Sequence, residues 1–231
     1  MKKFNPYSIL FAIVFIVHLY AEYNQLSALI HITKPLITIV LMAGLVVVTK
    51  LQGKFRKRIF AGLVFSFAGD VFLMFQGSAP NMFMYGLASF LICHLIYISA
   101  FNLDMRSDTS SKNPYFIWAL LLLFGFCAAF FMYLRPSLGA LQLPVLLYSI
   151  VISLMVVFSV GRYGKVNLYS FRLIALGAFF FLLSDSALAY NKFIIPVPNA
   201  GLVIMATYML AQYMIVYGSI TRDLLVKRTE V

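Results

Sequence analysis

The sequence predicts an all-α membrane protein, a bundle of eight transmembrane helices. Hydrophobic residues make up 63% of the chain and charged residues only 11%, and the mean hydropathy is +0.95, which lies outside the range of soluble domains. Predominantly apolar stretches, each long enough to cross about 30 Å of hydrocarbon, recur along the whole chain. They are apolar on all sides, whereas a membrane β-strand alternates apolar and polar residues, so we expect helices.

The predicted spans are separated only by short polar or basic breaks. Because no long linker or low-complexity segment divides the chain, we expect a single integral membrane domain over residues 1–231. The spans are 6–22, 29–49, 58–76, 82–101, 115–134, 142–161, 170–191 and 200–220.

The distribution of the net charge of +11 indicates how the chain is oriented in the membrane rather than binding to nucleic acid. All but three of the 18 lysines and arginines fall on one side of the predicted spans, the exceptions being Lys34, Arg135 and Lys192. Basic residues concentrate in cytoplasmic loops, so we expect both termini in the cytoplasm. As a separate expectation, the chain would lie in a bacterial inner membrane. The expected contacts are membrane lipids and not nucleic acid.

Two similar segments lie in corresponding places in the two halves of the chain. Gly69-Asp70 falls late in the third span and Ser184-Asp185 falls late in the seventh, about half the chain length apart. Four spans return a chain to its starting side, so this spacing indicates a four-plus-four parallel repeat about an axis along the membrane normal.

Asp70 and Asp185 are the polar residues that most need explanation. A carboxylate within a span is costly and is by default a functional hypothesis. At about 1.5 Å per residue, both lie roughly 9 Å below the outer boundary of the bundle. Other polar residues are expected near that level, with His94 somewhat deeper: Glu22, Lys34, Tyr148, Lys192, Tyr208 and Gln212.

Each of these residues also has a simpler interpretation. Charged side chains near the interface can extend to water, and Lys34 precedes a proline that is tolerated in a first helical turn. His94 can be a core histidine, His18 and His31 are expected at the interface, and each aspartate can merely hydrogen-bond to a neighbouring helix.

Two neighbouring carboxyl groups in a water-poor site favour a state in which one is protonated and the other ionised. That arrangement suits a general acid and a general base acting on one bond, with a lysine nearby for a lipid phosphate. No metal site or cofactor is expected, because the three histidines are scattered and show no ligand spacing. The sequence also lacks a Gly-x-Ser-x-Gly elbow and a glycine-rich phosphate loop.

Two segments, FSFAGDVFLM at 65–74 and FLLSDSALAYNKF at 181–193, resemble the signature segments of the YhhN-like lysoplasmalogenase family. The resemblance covers nearly the whole chain. Further matches are Lys34-Pro35, His94 with Tyr97, Leu143-Pro144 with Tyr148, and Tyr208 to Gln212.

The resemblance implies an eight-helix hydrolase that cleaves the vinyl ether of a lysoplasmalogen, a single-chain phospholipid, to a fatty aldehyde and a glycerophospho-alcohol. The expected catalytic residues are Asp70 and Asp185, with the assignment of acid and base left open. The expected substrate contacts are Lys34, His94, Tyr148, Ser184, Asn191, Lys192, Tyr208 and Gln212. Lys34 or Lys192 would hold the phosphate, and His94 is a candidate proton relay.

Two other functions also use paired membrane aspartates. An intramembrane aspartyl protease requires a Gly-x-Gly-Asp signature, but Phe67 stands at the first glycine position. A proton-coupled transporter or lipid-binding protein predicts matching helix breaks in the two halves. Pro35 and Pro144 do not match at the offset of the two aspartates, which favours the hydrolase.

Overall fold

A computed structural model describes residues 6–77, 79, 81–107 and 113–225. Within these residues the chain forms eight long α-helices, with two short 3₁₀ turns between the fifth and sixth. The helices are α1 (Pro6–Tyr23), α2 (Ser27–Thr49), α3 (Gly53–Met74), α4 (Met82–Met105), α5 (Tyr115–Leu134), α6 (Gln142–Val160), α7 (Leu168–Phe193) and α8 (Ala200–Ile220).

The prediction of an all-helical, multi-pass membrane protein is confirmed. Seven of the eight helices in the described part of the chain are long and apolar enough to cross a membrane. The exception is α3, whose first turns carry Lys54, Arg56, Lys57 and Arg58. The four-plus-four repeat and the cytoplasmic termini stay predictions.

Several helices extend beyond the apolar stretches that predicted them. The predicted span 58–76 is a helix that starts at Gly53, and the predicted span 82–101 continues to Met105. Pro35 was expected near a helix start, but it lies inside α2. Hydropathy therefore found each helix but not its polar end turns, because hydrogen bonding continues where apolar character stops.

The helices pack as sequential pairs. The most extensive contacts join α7 to α8 and α3 to α4, while α2 also contacts α8, and α4 also contacts α6. Helix α5 packs mainly on α6, and most of its side chains are exposed. These contacts place α5 at the periphery of the bundle.

Small residues on α3 allow its close approach to α4. A Cβ atom added at Gly62 would lie 2.2 Å from the Tyr97 ring, and one added at Gly69 would lie 2.7 Å from the Phe90 ring. Without a hydrophobic driving force between helices in lipid, such close packing is a main source of association. Gly69 thus has a packing role beside the neighbouring Asp70.

The two ends of the bundle differ in charge. One end, here called the site end, contains the connections α1–α2, α3–α4, α5–α6 and α7–α8. The other end, here called the basic end, contains the remaining connections and most of the described lysines and arginines.

A buried ion-pair cluster closes the basic end. Asp104 on α4 is fully buried and accepts hydrogen bonds from Arg162 Nε and Arg222 Nε, both at 2.8 Å. Arg162 also donates to Ser170 Oγ at 3.1 Å, and Arg222 stands 4.5 Å from the Phe55 ring. The cluster joins α4, the α6–α7 connection, α7 and the residues that follow α8.

We expect Gly62→Ala to lower the midpoint of thermal unfolding of the purified protein in detergent. The added methyl group must displace the Tyr97 ring, at a cost of about 1–3 kcal/mol. The matched control is Gly125→Ala on α5, where a Cβ meets no atom within 4 Å, so its midpoint should not fall. Equal midpoints for the two variants would contradict close α3–α4 packing.

We expect Asp104→Asn to reduce stability strongly, because two guanidinium groups would lose their shared counter-charge. Breaking a buried ion pair from one side costs about 3–5 kcal/mol. Asp223→Asn is the control, because Asp223 is exposed and meets Asn167 through its backbone atoms. Thermal unfolding in detergent measures both, and a small loss for Asp104→Asn would show that the arginines have other counter-charges.

Candidate functional site

Asp70 lies at the site end of α3 and is almost completely buried, with 2% of its surface exposed. Its Oδ2 accepts a hydrogen bond from the Tyr208 hydroxyl at 2.6 Å and a second from the Thr38 hydroxyl at 3.2 Å. Donors from α8 and α2 therefore compensate for the loss of water around this carboxyl group.

A chain of polar side chains leads away from Asp70. Tyr97 OH donates to Gln212 Oε1 at 2.8 Å, and Gln212 Nε2 donates to Ser66 Oγ at 2.6 Å. The Ser66 and Tyr208 hydroxyls are 2.8 Å apart. We call Tyr97, Gln212, Ser66 and Tyr208 the donor chain. It links α4, α8 and α3 through side chains that are all buried.

Asp185 lies on α7 in different surroundings. Its Oδ2 accepts a hydrogen bond from the Tyr148 hydroxyl, and His94 Nε2 lies 3.8 Å from the same oxygen. The Asp185 side chain is 13% exposed, whereas His94 is fully buried. Neither ring nitrogen of His94 has a hydrogen-bond partner among the described residues.

Two phenylalanine rings lie between the partners of the two carboxyl groups. The Phe181 ring is 5.5 Å from the Tyr208 ring and 4.7 Å from the His94 ring, centroid to centroid. The Phe90 ring contacts both Phe181 and Tyr208. Asp70 and Asp185 thus flank one aromatic cluster, and each has its own hydroxyl donors.

A pocket opens beside Asp185. Its wall is mainly apolar and comes largely from α4, α5, α6 and α7, with Phe83, Leu87, Phe90, Phe126, Phe130 and Ile152 among the lining residues. Asp185, Tyr148, Ser149, Ser153 and Ser186 supply its polar groups. Asp70 is absent from this lining, although it is among the described residues.

Lys192 stands near the pocket at the site end. Its Nζ lies 5.0 Å from the Phe83 ring centroid and 3.4 Å from Gln76 Oε1. Phe83 and Phe193 both line the pocket, and their rings meet edge to face. An exposed ammonium group is therefore available beside a mainly apolar cavity.

Seven of the eight expected substrate contacts lie outside the pocket lining. Ser184 donates to the Ile204 carbonyl at 2.9 Å, and Asn191 Oδ1 accepts from the Val197 amide at 2.7 Å. Tyr208 and Gln212 are buried beside Asp70. Of the eight expected contacts, Tyr148 lines the pocket, and Lys192, His94 and Tyr208 touch residues that line it.

Lys34 belongs to a separate polar group at the α1–α2 corner. It lies within electrostatic range of Asp70, Glu22 and His18. His18 Nδ1 is 2.7 Å from Thr33 Oγ1, and its Nε2 is 3.6 Å from Glu22 Oε1. His18, which was expected at the interface, is fully buried within the protein, and Thr33 on α2 supplies its polar partner.

Thr38 and Ser66 are site residues that sequence reasoning did not select. Ser66 lies one turn before Asp70 on α3, so its position on the same helix face was a usable signal. Thr38 had no comparable signal, since its hydroxyl could equally have bonded to the preceding turn of its own helix. Within the described residues, no group of three His, Cys, Asp or Glu side chains could hold a metal ion.

Eight long helices, two buried carboxyl groups and a mainly apolar pocket characterise a multi-pass membrane protein with a candidate acidic site. The YhhN family model matches residues 29–219, so the chain belongs to the YhhN family. No solved structure gives a significant match.

Curated relatives cover most of the chain. It is 33% identical over 170 residues to "Lysoplasmalogenase TMEM86A" of Bos taurus, covering 71% of this chain and 65% of that protein. The Homo sapiens protein of that name is 33% identical over 167 residues, with the same coverage. "Lysoplasmalogenase TMEM86B" of Homo sapiens is 29% identical over 198 residues, covering 85% and 78%. The chain thus spans about two thirds of the length of the TMEM86A relatives.

Proposed function

We propose that this chain is an intramembrane hydrolase that cleaves the vinyl ether bond of lysoplasmalogen-type lysophospholipids. The observation that carries the proposal is the position of Asp185 in the wall of a mainly apolar pocket, with a second buried carboxyl group close by. The names of the TMEM86A and TMEM86B relatives support the substrate class.

The chemistry of a vinyl ether suits a carboxyl pair. A proton must be added to the β-carbon of the double bond, which leaves an oxocarbenium ion. Water then adds to that cation, and the hemiacetal collapses to a fatty aldehyde and a glycerophospho-alcohol. A protonated carboxyl group supplies the proton, and a carboxylate stabilises the cation and accepts a proton from water. The pair of Asp70 and Asp185 would supply both the protonated and the ionised carboxyl group.

The pocket suits the hydrocarbon chain of the substrate. Its phenylalanine, leucine and isoleucine side chains would surround the alkenyl chain and bring the vinyl ether to Asp185 and Tyr148. Because α5 is peripheral and mostly exposed, we propose that a single-chain lipid enters from the bilayer between α5 and its neighbours. No gradient or second substrate other than water is required.

The phosphate would lie at Lys192. An ammonium group binds phosphate as a point charge, and Lys192 contacts Phe83 at the pocket. Lys34 is the less suitable candidate, because it lies with Glu22 and His18 at another corner and does not line the pocket. With the basic end in the cytoplasm, as the positive-inside rule favours, the site would open toward the outer leaflet.

We expect Asp70→Asn and Asp185→Asn each to reduce aldehyde release from a lysoplasmalogen by at least about 100-fold, the usual range for loss of acid–base catalysis. The assay uses purified protein in detergent, where no gradient exists. Asp223→Asn is the matched control and should retain activity. The corresponding alkyl ether lipid, which has no double bond to protonate, should release no aldehyde. Near-wild-type turnover in a well-folded Asp185→Asn variant would refute the proposal.

We expect Lys192→Gln to raise KM about tenfold with little change in kcat. Loss of one charge-assisted contact to phosphate costs about 1.5 kcal/mol, and uniform binding appears in KM. Arg135→Gln is the control, because Arg135 is also an exposed cation at the site end. Steady-state kinetics of both variants provide the measurement. Equal KM values would mean that Lys192 does not bind the headgroup.

A further inference from the structure

We propose that Asp185 alone performs both proton transfers, while Asp70 remains an ionised carboxylate that acts on Asp185 and on the cation without touching the substrate. This division of labour rests on the proposed hydrolase function. It makes Asp185 the catalytic residue and Asp70 a positioning residue.

The first argument is access. Asp185 lines the pocket and has a partly exposed side chain, whereas Asp70 is 2% exposed and is absent from the lining. The Phe90 ring lines the pocket and also contacts the Tyr208 ring, so it separates the pocket from the hydroxyl that binds Asp70. A lipid chain in the pocket would meet Asp185 but not Asp70.

The second argument is the direction of the hydrogen bonds. An amide oxygen only accepts and an amide nitrogen only donates, so Tyr97 donates to Gln212 and Gln212 donates to Ser66. Tyr208 uses its one hydroxyl proton on Asp70, so Ser66 must donate to Tyr208. Every link of the donor chain therefore directs its proton toward Asp70.

A carboxyl group that receives such donors is stabilised as the anion. Asp70 Oδ2 accepts from Tyr208 and also from Thr38, and hydrogen bonds to the charged form favour that form. Lys34 on α2 adds a positive charge within range of Asp70. The remaining titratable groups that face Asp70 are Cys93 on α4 and Asp185 on α7.

Asp185 has fewer partners that favour ionisation. Tyr148 on α6 donates to its Oδ2, which leaves Oδ1 for a proton. The other titratable groups that face it are His94 and Cys93 on α4 and the negative charge of Asp70 on α3. A neighbouring anion opposes a second ionisation, so ionised Asp70 keeps Asp185 protonated and ready to act as an acid.

In this scheme Asp185 donates the proton that starts the reaction and recovers a proton from water. The Asp185 carboxyl proton forms a bond to the β-carbon as the double bond opens, and the product is an oxocarbenium ion beside the Asp185 carboxylate. Water bonds to the cationic carbon and gives a proton to the Asp185 carboxylate, which restores the acid. The hemiacetal hydroxyl proton moves to the glycerol oxygen as that carbon–oxygen bond breaks.

The test compares pH–rate profiles of kcat/KM for aldehyde release. In Tyr208→Phe, Asp70 loses a donor and is protonated more easily, so the acidic limb should move up by about one pH unit. In Tyr148→Phe, Asp185 keeps its proton more readily, so the alkaline limb should move up by a similar amount. The opposite pattern, with Tyr208→Phe moving the alkaline limb, would overturn the proposal.

The matched control is Tyr213→Phe, which makes the same chemical change on α8. Tyr213 donates to Ser8 and lies outside both the donor chain and the pocket by Asp185, so neither limb should move. A limb shift in this control equal to that in Tyr208→Phe would also overturn the proposal, because the shift would then not depend on the donor chain.

The aspartate variants provide a second comparison. Asp70→Asn should retain about 1% of wild-type turnover, within the range for loss of electrostatic stabilisation, and lose the acidic limb. Asp185→Asn should have no measurable turnover. Residual activity in Asp185→Asn with none in Asp70→Asn would reverse the assignment.

Infrared spectroscopy tests the protonation states without any assay. At neutral pH, the carboxylic acid C=O band of the wild-type protein should disappear in Asp185→Asn. In Asp70→Asn the band should persist at acidic pH and be lost at lower pH than in the wild type, because no neighbouring anion opposes ionisation of Asp185. Persistence of the band in Asp185→Asn at neutral pH would overturn the assignment even in an inactive protein. Absence of aldehyde release from wild-type protein would instead refute the hydrolase function, so the two failures are distinguishable.

Discussion

The cost of burying a carboxylate in an apolar bundle governs much of this structure. Three aspartates lie within the described helices, and each avoids an isolated buried charge in a different way. Asp104 shares its oxygens between two arginines. Asp70 accepts two hydroxyl donors, whereas Asp185 has one hydroxyl donor and borders a cavity. The first arrangement closes the bundle, and the other two create a pair of unlike carboxyl groups.

The helices themselves could be predicted from hydropathy, because bilayer thickness fixes the length of an apolar span. Their polar ends could not. Asp104 was outside the predicted fourth span, yet it belongs to α4 and pairs there with Arg162 and Arg222 from distant positions in the chain. A charge just beyond an apolar stretch gives no sign that it is paired, since pairing depends on tertiary contacts.

Helix rise converts sequence position into depth, which grouped Tyr148 and Tyr208 with the two aspartates, and each tyrosine does contact one of them. The direction of each side chain was harder to predict. The helices are apolar nearly all round, so periodicity does not identify the face toward the pocket. Tyr148 and Tyr208 seemed equivalent by depth, but one borders the cavity and the other lies behind a phenylalanine ring with Asp70. Only packing between helices separates them.

The same packing couples stability to the site. Gly62, Ser66 and Gly69 share one region of α3, where small side chains admit the Tyr97 and Phe90 rings of α4. Tyr97 begins the donor chain and Phe90 forms part of the pocket wall. A loosened α3–α4 contact would therefore disturb the donors to Asp70 and the wall beside Asp185 together. Hydrogen-bond networks in a poorly solvated site weaken steeply with distance. By allowing the close approach of α4, the glycines of α3 therefore also keep the hydrogen-bond donors of Asp70 in position.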